Sequence, residues 1–240
     1  MKSNWLEENS KQIEYYLSSK DVILIERARQ LKMMLEIFES YFEKREGLDF
    51  LDFGCGDGAL SKVIYNKYPK NRFHLLDGSA TMLEKAKKNF PSEGFTYTGD
   101  SFENFIERNK DERKYDFIFS SMAIHHLEYD MKLRLFSKFY LQLKYGGLFI
   151  NIDVVQPVSR KTEEIQFEMW EDYIRDELKR LGRESEISMH ENLSAGYKVK
   201  LENKPSLLSS QLHSLEQTGF HDVECYFKFG IFAVFGGVKE

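Results

Sequence analysis

Short apolar runs alternate with amphipathic stretches between residues 48 and 154 of the chain. The apolar runs cover residues 50–53, 72–77, 95–100, 115–122 and 146–155, and the stretches with helical spacing cover 59–68, 79–89, 101–109 and 130–144. Ser79 and Ser101 stand where N-caps are expected, and Gly146-Gly147 follows the last predicted helix as a C-cap would. Strands and helices that alternate at this spacing predict βαβ units and a parallel sheet.

The segments on either side of this pattern differ from it. Residues 1–46 predict a helical cap, because apolar positions recur near helical spacing and no glycine occurs before Gly47. Pro205 is followed by a predicted helix at 206–218 and by two apolar runs joined closely around Gly230. Such a tight connection can join only antiparallel strands. The predicted core therefore comprises residues 47–155 and 205–240.

Residues 156–204 interrupt the core and predict a helical lid or insertion. A long charged helix covers 161–182, and a polar stretch follows it. Two interpretations of this helix remain open. If it covers a site, Trp170 and Tyr173 would line a pocket; if it forms a homodimer contact, they would lie in the subunit interface.

A glycine-rich loop and three aspartates follow the predicted strands. Residues 54–59, GCGDGA, fit the dinucleotide fingerprint G-x-G-x-x-G/A. Asp52, Asp77 and Asp100 stand at the ends of the first three strands. Ligands of doubly wound sheets bind at the carboxyl ends of the strands. The three carboxylates and the loop therefore predict a ligand site along one edge of the sheet.

The acids indicate which ligand suits this edge. Asp77 lies 23 residues after Gly54, close to the ~20 expected of a carboxylate that binds a ribose hydroxyl. Asp100 could accept a hydrogen bond from an adenine amine, and Asp52 could hold an ammonium group. Asp52 and Asp57 would repel a phosphate at short range. An adenosine with a cationic amino-acid tail is thus favoured over a pyrophosphate.

Several motifs resemble those of the class I S-adenosylmethionine-dependent methyltransferases. They are LDFGCGDG, LLDGSATMLEKA, YTGDSF, YDFIFSSMAIHHL, LKYGGLFINIDV and the closing ECYFKFGIFAVFGG, and the resemblance covers roughly residues 48–155 and 206–238. The resemblance implies an α/β fold with a Rossmann-like doubly wound sheet of seven strands. The sheet would be mostly parallel with an antiparallel last strand, helices would cover both faces, and the cofactor would be S-adenosyl-L-methionine.

The resemblance also assigns candidate site residues. Those expected at the cofactor are Asp52, Gly54 and Gly56 at the methionine portion, Asp77 at the ribose, Met82, Asp100 and Ser101 at the adenine, and Ser120 near the methionine tail. Cys55, Gly78 and Ser79 are further cofactor-binding candidates. His125 and His126 follow the fourth strand, where the methyl acceptor would lie. Tyr15 belongs to the N-terminal helix, which could fold over the cofactor. These three residues are the catalytic candidates, with plain packing or capping as the alternative.

The predicted function is methyl transfer by direct displacement to a small-molecule acceptor. One alternative is a carboxy-S-adenosylmethionine synthase-like enzyme of tRNA modification, which needs a pocket cation; Arg27 and Arg160 are the candidates. A non-catalytic S-adenosylmethionine-binding module and a nicotinamide oxidoreductase are further alternatives. A general base is needed only if the acceptor must lose a proton.

Composition and charge restrict the partners. The formal net charge is −5, so the chain lacks the basic footprint of a nucleic-acid-binding protein. No apolar run approaches the ~18 residues of a membrane span, and the first residues have no apolar signal region. The two cysteines, Cys55 and Cys225, belong to no metal-spaced cluster. A cytoplasmic protein with a small-molecule substrate and no metal is the expectation.

Overall fold

The computed structural model describes residues 10–108, 113–191 and 193–240. A single sheet is formed by β1 (Asp49–Phe53), β2 (Arg72–Asp77), β3 (Phe95–Gly99), β4 (Tyr115–Ser121), β5 (Leu143–Val154), β6 (His221–Phe229) and β7 (Phe232–Val238). The strand order is β3-β2-β1-β4-β5-β7-β6. Strand β7 is antiparallel to both of its neighbours, and the other paired strands are parallel. The predicted seven-stranded, mostly parallel sheet with an antiparallel last strand is confirmed.

Helices follow most of the strands. They are α1 (Ser10–Ile23), α2 (Arg27–Tyr41), α3 (Ala59–Lys67), α4 (Ala80–Lys88), α5 (Phe102–Glu107), α6 (Tyr129–Gln142), α7 (Arg160–Arg180), α8 (Ile187–His190), α9 (Leu193–Val199) and α10 (Leu208–Thr218). Ser79 Oγ accepts from Met82 N, and Ser101 Oγ accepts from Asn104 N. Each side chain satisfies one backbone donor that the first turn leaves unpaired, so both predicted N-caps are confirmed.

Alternate residues of the strands enter two separate cores, as a pleated strand requires. Phe50 packs with residues of α2, α3 and α4, whereas its neighbour Leu51 packs with residues of α5, α6 and α10. Phe38 of α2 stacks on Phe117 of β4, with ring centroids 5.4 Å apart. Because both faces of the central strands are buried, their sequences are continuous apolar runs rather than alternating ones. Helices cover both faces, as predicted.

The entry into β5 differs from the prediction. Helix α6 ends at Gln142, and Leu143 already has extended backbone angles. Gly146 and Gly147 therefore do not cap the helix. They lie in an irregular first part of β5, where Gly146 N donates to Lys239 O at 2.6 Å and Gly147 O accepts from Lys239 N. Regular pairing with β4 begins only at Leu148. The positive φ of Gly146 serves this irregular segment of the strand.

A third apolar cluster covers the carboxyl ends of the parallel strands. It joins Ile25, between α1 and α2, to Trp170 of α7 and to Phe232 at the start of β7. Trp170 Nε1 donates to Ile23 O at 2.6 Å, and this bond fixes α7 against α1. Helix α7 and the described part of the predicted 1–46 cap thus cover this edge of the sheet.

Parts of two predicted helical segments cannot be compared with the structure, and the prediction for the stretch after α7 was incomplete. Residues 1–9 of the predicted cap and residue 109 of the predicted helix 101–109 lie outside the described residues. The polar stretch after α7 forms a 3₁₀ turn and the short helices α8 and α9, which its sequence did not indicate. Among the described helices, none is long and apolar enough to cross a membrane. The boundaries proposed for cap, core and insertion remain predictions.

Candidate functional site

A cavity of about 1250 Å³ lies at the carboxyl ends of the parallel strands. It lies where β1 and β4 adjoin and the strand order reverses, which is the usual ligand position in a doubly wound sheet. Twelve of the predicted site residues line it: Tyr15, Asp52, Gly54, Cys55, Gly56, Asp77, Gly78, Ser79, Met82, Ser101, His125 and His126. Its volume exceeds the ~300–1,000 Å³ typical of a site for one ligand, which leaves room for two reactants.

The glycine loop forms one wall of the cavity. Gly54 has φ +72°, and a Cβ there would lie 2.3 Å from the Cβ of Ala123. Both the backbone conformation and the packing therefore require glycine at this position. Gly54 N and Cys55 N donate to Leu76 O at 2.8 and 3.0 Å, which ties the loop to the end of β2. The loop can present bare backbone to a ligand.

Asp52 is buried beneath this loop, with 1% of its surface exposed. Its Oδ2 accepts from Ser61 Oγ at 2.6 Å and from Ser61 N at 3.3 Å. Its Oδ1 is buried and has no hydrogen-bond partner among the described residues. Burial raises the pKa of Asp52 to about 7. A buried acceptor of this kind costs free energy until a donor reaches it, so the site can bind a cationic or hydrogen-bonding group.

Asp77 is held by two backbone donors. Its Oδ2 accepts from Gly56 N and its Oδ1 from Ser79 N, both at 2.8 Å. Burial raises the pKa of this carboxyl despite both hydrogen bonds. Each carboxylate oxygen has a second acceptor position, so Asp77 can still accept from hydroxyl groups of a ligand. The carboxyl is fixed in place before any ligand arrives.

Cys55 and Met82 complete this side with apolar surface. Cys55 is buried, and burial raises the pKa of its thiol well above the usual value, which keeps the sulfur protonated. Met82 is also buried and lies in the first turn of α4. No three His, Cys, Asp or Glu side chains of the described residues are grouped as a metal site would require.

Asp100 and Ser120 are not brought to the cavity. The Asp100 carboxylate forms an ion pair with Arg108 at the end of α5. Ser120 is fully buried, and its Oγ donates to Phe53 O at 2.7 Å, which links β4 to β1. In both cases the next residue along the chain lines the cavity instead.

His125 is paired with an aspartate that the sequence analysis missed. His125 lies in a 3₁₀ turn after β4, and its Nδ1 is 2.6 Å from Asp153 Oδ1. His125 N also donates to Asp153 Oδ2 at 2.9 Å. Burial favours the protonated form of Asp153, but His125, the Val154 N–H and Lys132 together outweigh burial and lower the carboxyl pKa. With Asp153 ionised, Nδ1 must carry its hydrogen, and Nε2 can accept a proton.

His126 and Tyr15 are also engaged. His126 Nδ1 donates to Glu202 O at 3.0 Å, and burial lowers the pKa of this ring to about 3, so it stays neutral. Tyr15 Oη lies 2.9 Å from Nδ1 of His190, which connects α1 to α8. Both side chains therefore link the cavity wall to the 156–204 segment.

The cations proposed for a second carboxylate differ in position. Arg27 lines the cavity, and its Nη1 donates to Asp21 at 2.6 Å. The Arg160 side chain is 92% exposed, lies beside Glu164 and does not line the cavity. Of the two, only Arg27 is positioned to meet a ligand there.

The chain is similar to known proteins in sequence and in fold. Residues 50–147 match the methyltransferase domain family. Malonyl-(acyl-carrier protein) O-methyltransferase 1 of Ilyobacter polytropus is 35% identical over 114 residues, which are 47% of this chain and 40% of that relative. This chain therefore spans less than half of that relative's length.

Two further similarities extend over most of the chain. Carboxy-S-adenosyl-L-methionine synthase of Staphylococcus epidermidis is 21% identical over 212 residues, 88% of this chain and 87% of that relative. Human N-acetylserotonin methyltransferase, solved with S-adenosylmethionine, has a TM-score of 0.56 at 18% identity and covers 97% of this chain and 59% of its own. The structural likeness concerns the fold.

The sheet order, the glycine loop at the switch point and the acids at the strand ends define a doubly wound protein of the nucleoside-binding type. The family match covers the glycine loop and the strands from β1 to β4, and it narrows the class from nucleoside-binding proteins to methyltransferases. The chain carries a class I S-adenosylmethionine-dependent methyltransferase domain.

Proposed function

We propose that this protein transfers a methyl group from S-adenosylmethionine to a small acceptor, either free or carrier-bound. The observation that carries the proposal is one cavity lined by two chemically different sets of residues. The glycine loop, Asp52 and Asp77 form one set, and His125, which is paired with Asp153 behind it, belongs to the other. A transferase that aligns two reactants needs both sets around one space.

The glycine loop, Asp52 and Asp77 fit the cofactor. The unpartnered Oδ1 of Asp52 suits the cofactor's ammonium group, and Asp77 suits the two ribose hydroxyls. The backbone of Gly54 and Gly56 would lie against the methionine portion, because no side chain stands in the way. Met82 supplies apolar surface for the adenine.

When bound, S-adenosylmethionine supplies an electrophilic methyl group on a cationic sulfur. The chain's own contribution is to orient the acceptor and to take its proton. Asp153 holds His125 in the tautomer whose Nε2 accepts. General-base catalysis of this kind contributes roughly 10²- to 10⁴-fold to a rate. Asp153 is a positioning residue, since it acts through His125.

The similarity to a carboxy-S-adenosylmethionine synthase supports a second candidate less well. That reaction would need a free cation beside the methyl position. Among the described cavity-lining cations, Arg27, Lys20 and Lys204 are paired with Asp21, Asp57 and Glu128 at 2.6, 2.7 and 2.9 Å. Lys200 lines the cavity as well, but it is exposed to solvent. We therefore favour methyl transfer.

Calorimetric titration with S-adenosylhomocysteine and with NADH tests the proposal. We expect S-adenosylhomocysteine to bind and NADH not to bind; the reverse would refute it. The Asp77→Asn variant should bind S-adenosylhomocysteine at least tenfold more weakly, because ribose binding needs a full carboxylate acceptor set. Asp176→Ala, at a side chain 78% exposed on α7, is the matched control and should bind normally.

A transfer assay separates an enzyme from a binding module. Wild-type protein should form S-adenosylhomocysteine from S-adenosylmethionine when hydroxylated or carboxylated acceptors are supplied. His125→Ala should retain cofactor binding and lose most of this rate. Cofactor binding with no turnover across the acceptor set would favour the non-catalytic alternative.

A further inference from the structure

Part of the cavity lining is an aromatic wall, formed by Trp170, Tyr197 and Phe232. Trp170 of α7 lies edge-on to Phe232, with centroids 5.5 Å apart, and meets Tyr197 of α9 at 5.9 Å in a T-shaped arrangement. Trp170 is 4% exposed, and its Nε1 bond to Ile23 fixes the ring. The wall is therefore preformed and rigid. Its rings come from the 156–204 segment and from the antiparallel strand β7.

Rings in such a wall favour a flat apolar ligand over a charged one. Aromatic pairs in offset or edge-to-face contact are stabilised beyond the area that they bury. Met122 and Val154 add further apolar surface beside the wall. A carboxylate there would need a buried cation, yet the described Lys20, Arg27 and Lys204 already form ion pairs. Lys200, which also lines the cavity, is exposed to solvent.

Tyr197 adds a polar group to this apolar surface. Its hydroxyl oxygen is buried and has no hydrogen-bond partner among the described residues. Asn203 Nδ2 donates to Tyr197 O at 2.9 Å, and Lys204 N donates to His125 O at 2.8 Å. The segment 197–204 therefore holds Tyr197 and His125 in the same part of the cavity wall. Burial raises the pKa of Tyr197, so its hydroxyl stays protonated. A buried hydroxyl without a partner is unfavourable until a ligand supplies one.

Resting on the proposed function, we infer that the acceptor is a hydroxylated aromatic molecule. Its ring packs against Trp170 and Phe232, its reacting hydroxyl meets Nε2 of His125, and a second oxygen or nitrogen bonds to Tyr197 Oη. In the transfer, the acceptor's O–H proton passes to Nε2. The oxygen–methyl bond forms as the methyl–sulfur bond breaks, and the sulfur leaves as a neutral thioether. The proton then returns from His125 to solvent.

Calorimetry on the full chain saturated with S-adenosylhomocysteine tests this inference. The probes are 2-naphthol, its saturated counterpart decahydro-2-naphthol, and 2-naphthoate. We expect 2-naphthol to bind at least tenfold more tightly than either of the other two. Equal binding of the saturated alcohol, or tighter binding of 2-naphthoate, would overturn the inference. Lack of S-adenosylhomocysteine binding in the same protein would instead refute the proposed function, so the two failures are distinguishable.

Two variants assign the roles of the wall. Tyr197→Phe keeps the ring and removes the hydroxyl, so a probe with a second polar group, 2,7-dihydroxynaphthalene, should bind roughly five- to tenfold more weakly. The affinity for 2-naphthol, which offers one hydroxyl, should change less than twofold. Trp170→Leu should reduce the preference for 2-naphthol over decahydro-2-naphthol. An unchanged affinity of Tyr197→Phe for the dihydroxy probe would refute the role of Tyr197, even if Trp170→Leu does not fold.

Discussion

The buried carboxyl of Asp52 predicts that cofactor affinity depends on pH. Its pKa is raised to about 7 because the group is buried, and its Oδ1 has no partner among the described residues. A cationic ammonium can bind well only to the ionised form. Lowering the pH through 7 protonates Asp52 in the ligand-free protein and should therefore weaken the binding of S-adenosylhomocysteine.

The size of the effect follows from the pKa. About nine tenths of Asp52 is ionised at pH 8 and about one tenth at pH 6. The dissociation constant should therefore be about tenfold higher at pH 6, or about 1.4 kcal/mol. Binding at pH 6 should also show a heat that depends on the buffer, because close to one proton leaves Asp52 and protonates the buffer.

The stability of the ligand-free protein should have the opposite dependence on pH. The folded-state pKa of Asp52 lies above the ~3.9 of an unfolded aspartate. The folded state thus binds more protons between about pH 4 and pH 7, and the contribution of this group to stability falls as pH rises through that range. As pH rises, cofactor affinity should therefore increase while the stability of the ligand-free protein decreases. A carboxyl in an ion pair would instead add stability as pH rises, so the two cases can be distinguished.

Isothermal titration calorimetry at pH 6, 7 and 8, in two buffers of different ionisation enthalpy, measures both affinity and proton release. Asp52→Asn is the matched variant, because its amide oxygen can still accept from Ser61. It should bind S-adenosylhomocysteine more weakly and with little pH dependence. A wild-type dissociation constant that varies less than twofold over this range would refute the reasoning, as would full pH dependence in the variant.

Two pairs of substitutions test the fold by urea denaturation. Phe38→Ala should destabilise the protein by ~3–5 kcal/mol, because the side chain is fully buried. Leu141→Ala, at a position 63% exposed, should cost no more than ~0.5 kcal/mol. Gly236→Ala should prevent folding or nearly so, because its Cβ would lie 1.9 Å from the Phe149 carbonyl oxygen. Gly146→Ala meets no neighbour within 4 Å and should cost only the ~1–2 kcal/mol of its positive φ; equal losses within either pair would contradict the packing described.

The sheet could be predicted from sequence because its central strands are buried on both faces. Their apolar runs are bounded by glycines, prolines and charges, so strand ends differ from prediction by a few residues. The prediction that Gly146-Gly147 caps a helix was wrong, because the same two glycines can end a helix or lie in an irregular part of a strand. Hydrogen bonds to Lys239, almost a hundred residues away, decide between the two.

Most of the cofactor-side residues could be located because each follows a strand. Asp153 also stands near the end of a strand, and the same rule would have found it, but a continuous apolar run surrounds it. Asp100 could not be assigned, because its ion pair with Arg108 depends on how α5 folds. The aromatic wall could be predicted only in part: Trp170 was a candidate pocket residue, whereas Tyr197 lies in a polar stretch without clear periodicity.

Helix α1 is fastened at two points that lie five residues apart. Lys20 pairs with Asp57 of the glycine loop at 2.7 Å, and Tyr15 bonds to His190 of the 156–204 segment. One helix thus joins the glycine loop to the 156–204 segment. A movement of the whole of α1 away from the cavity must break both contacts, so opening the cofactor side and opening the acceptor side are coupled. We expect this coupled opening, and with it product release, to limit the rate of turnover.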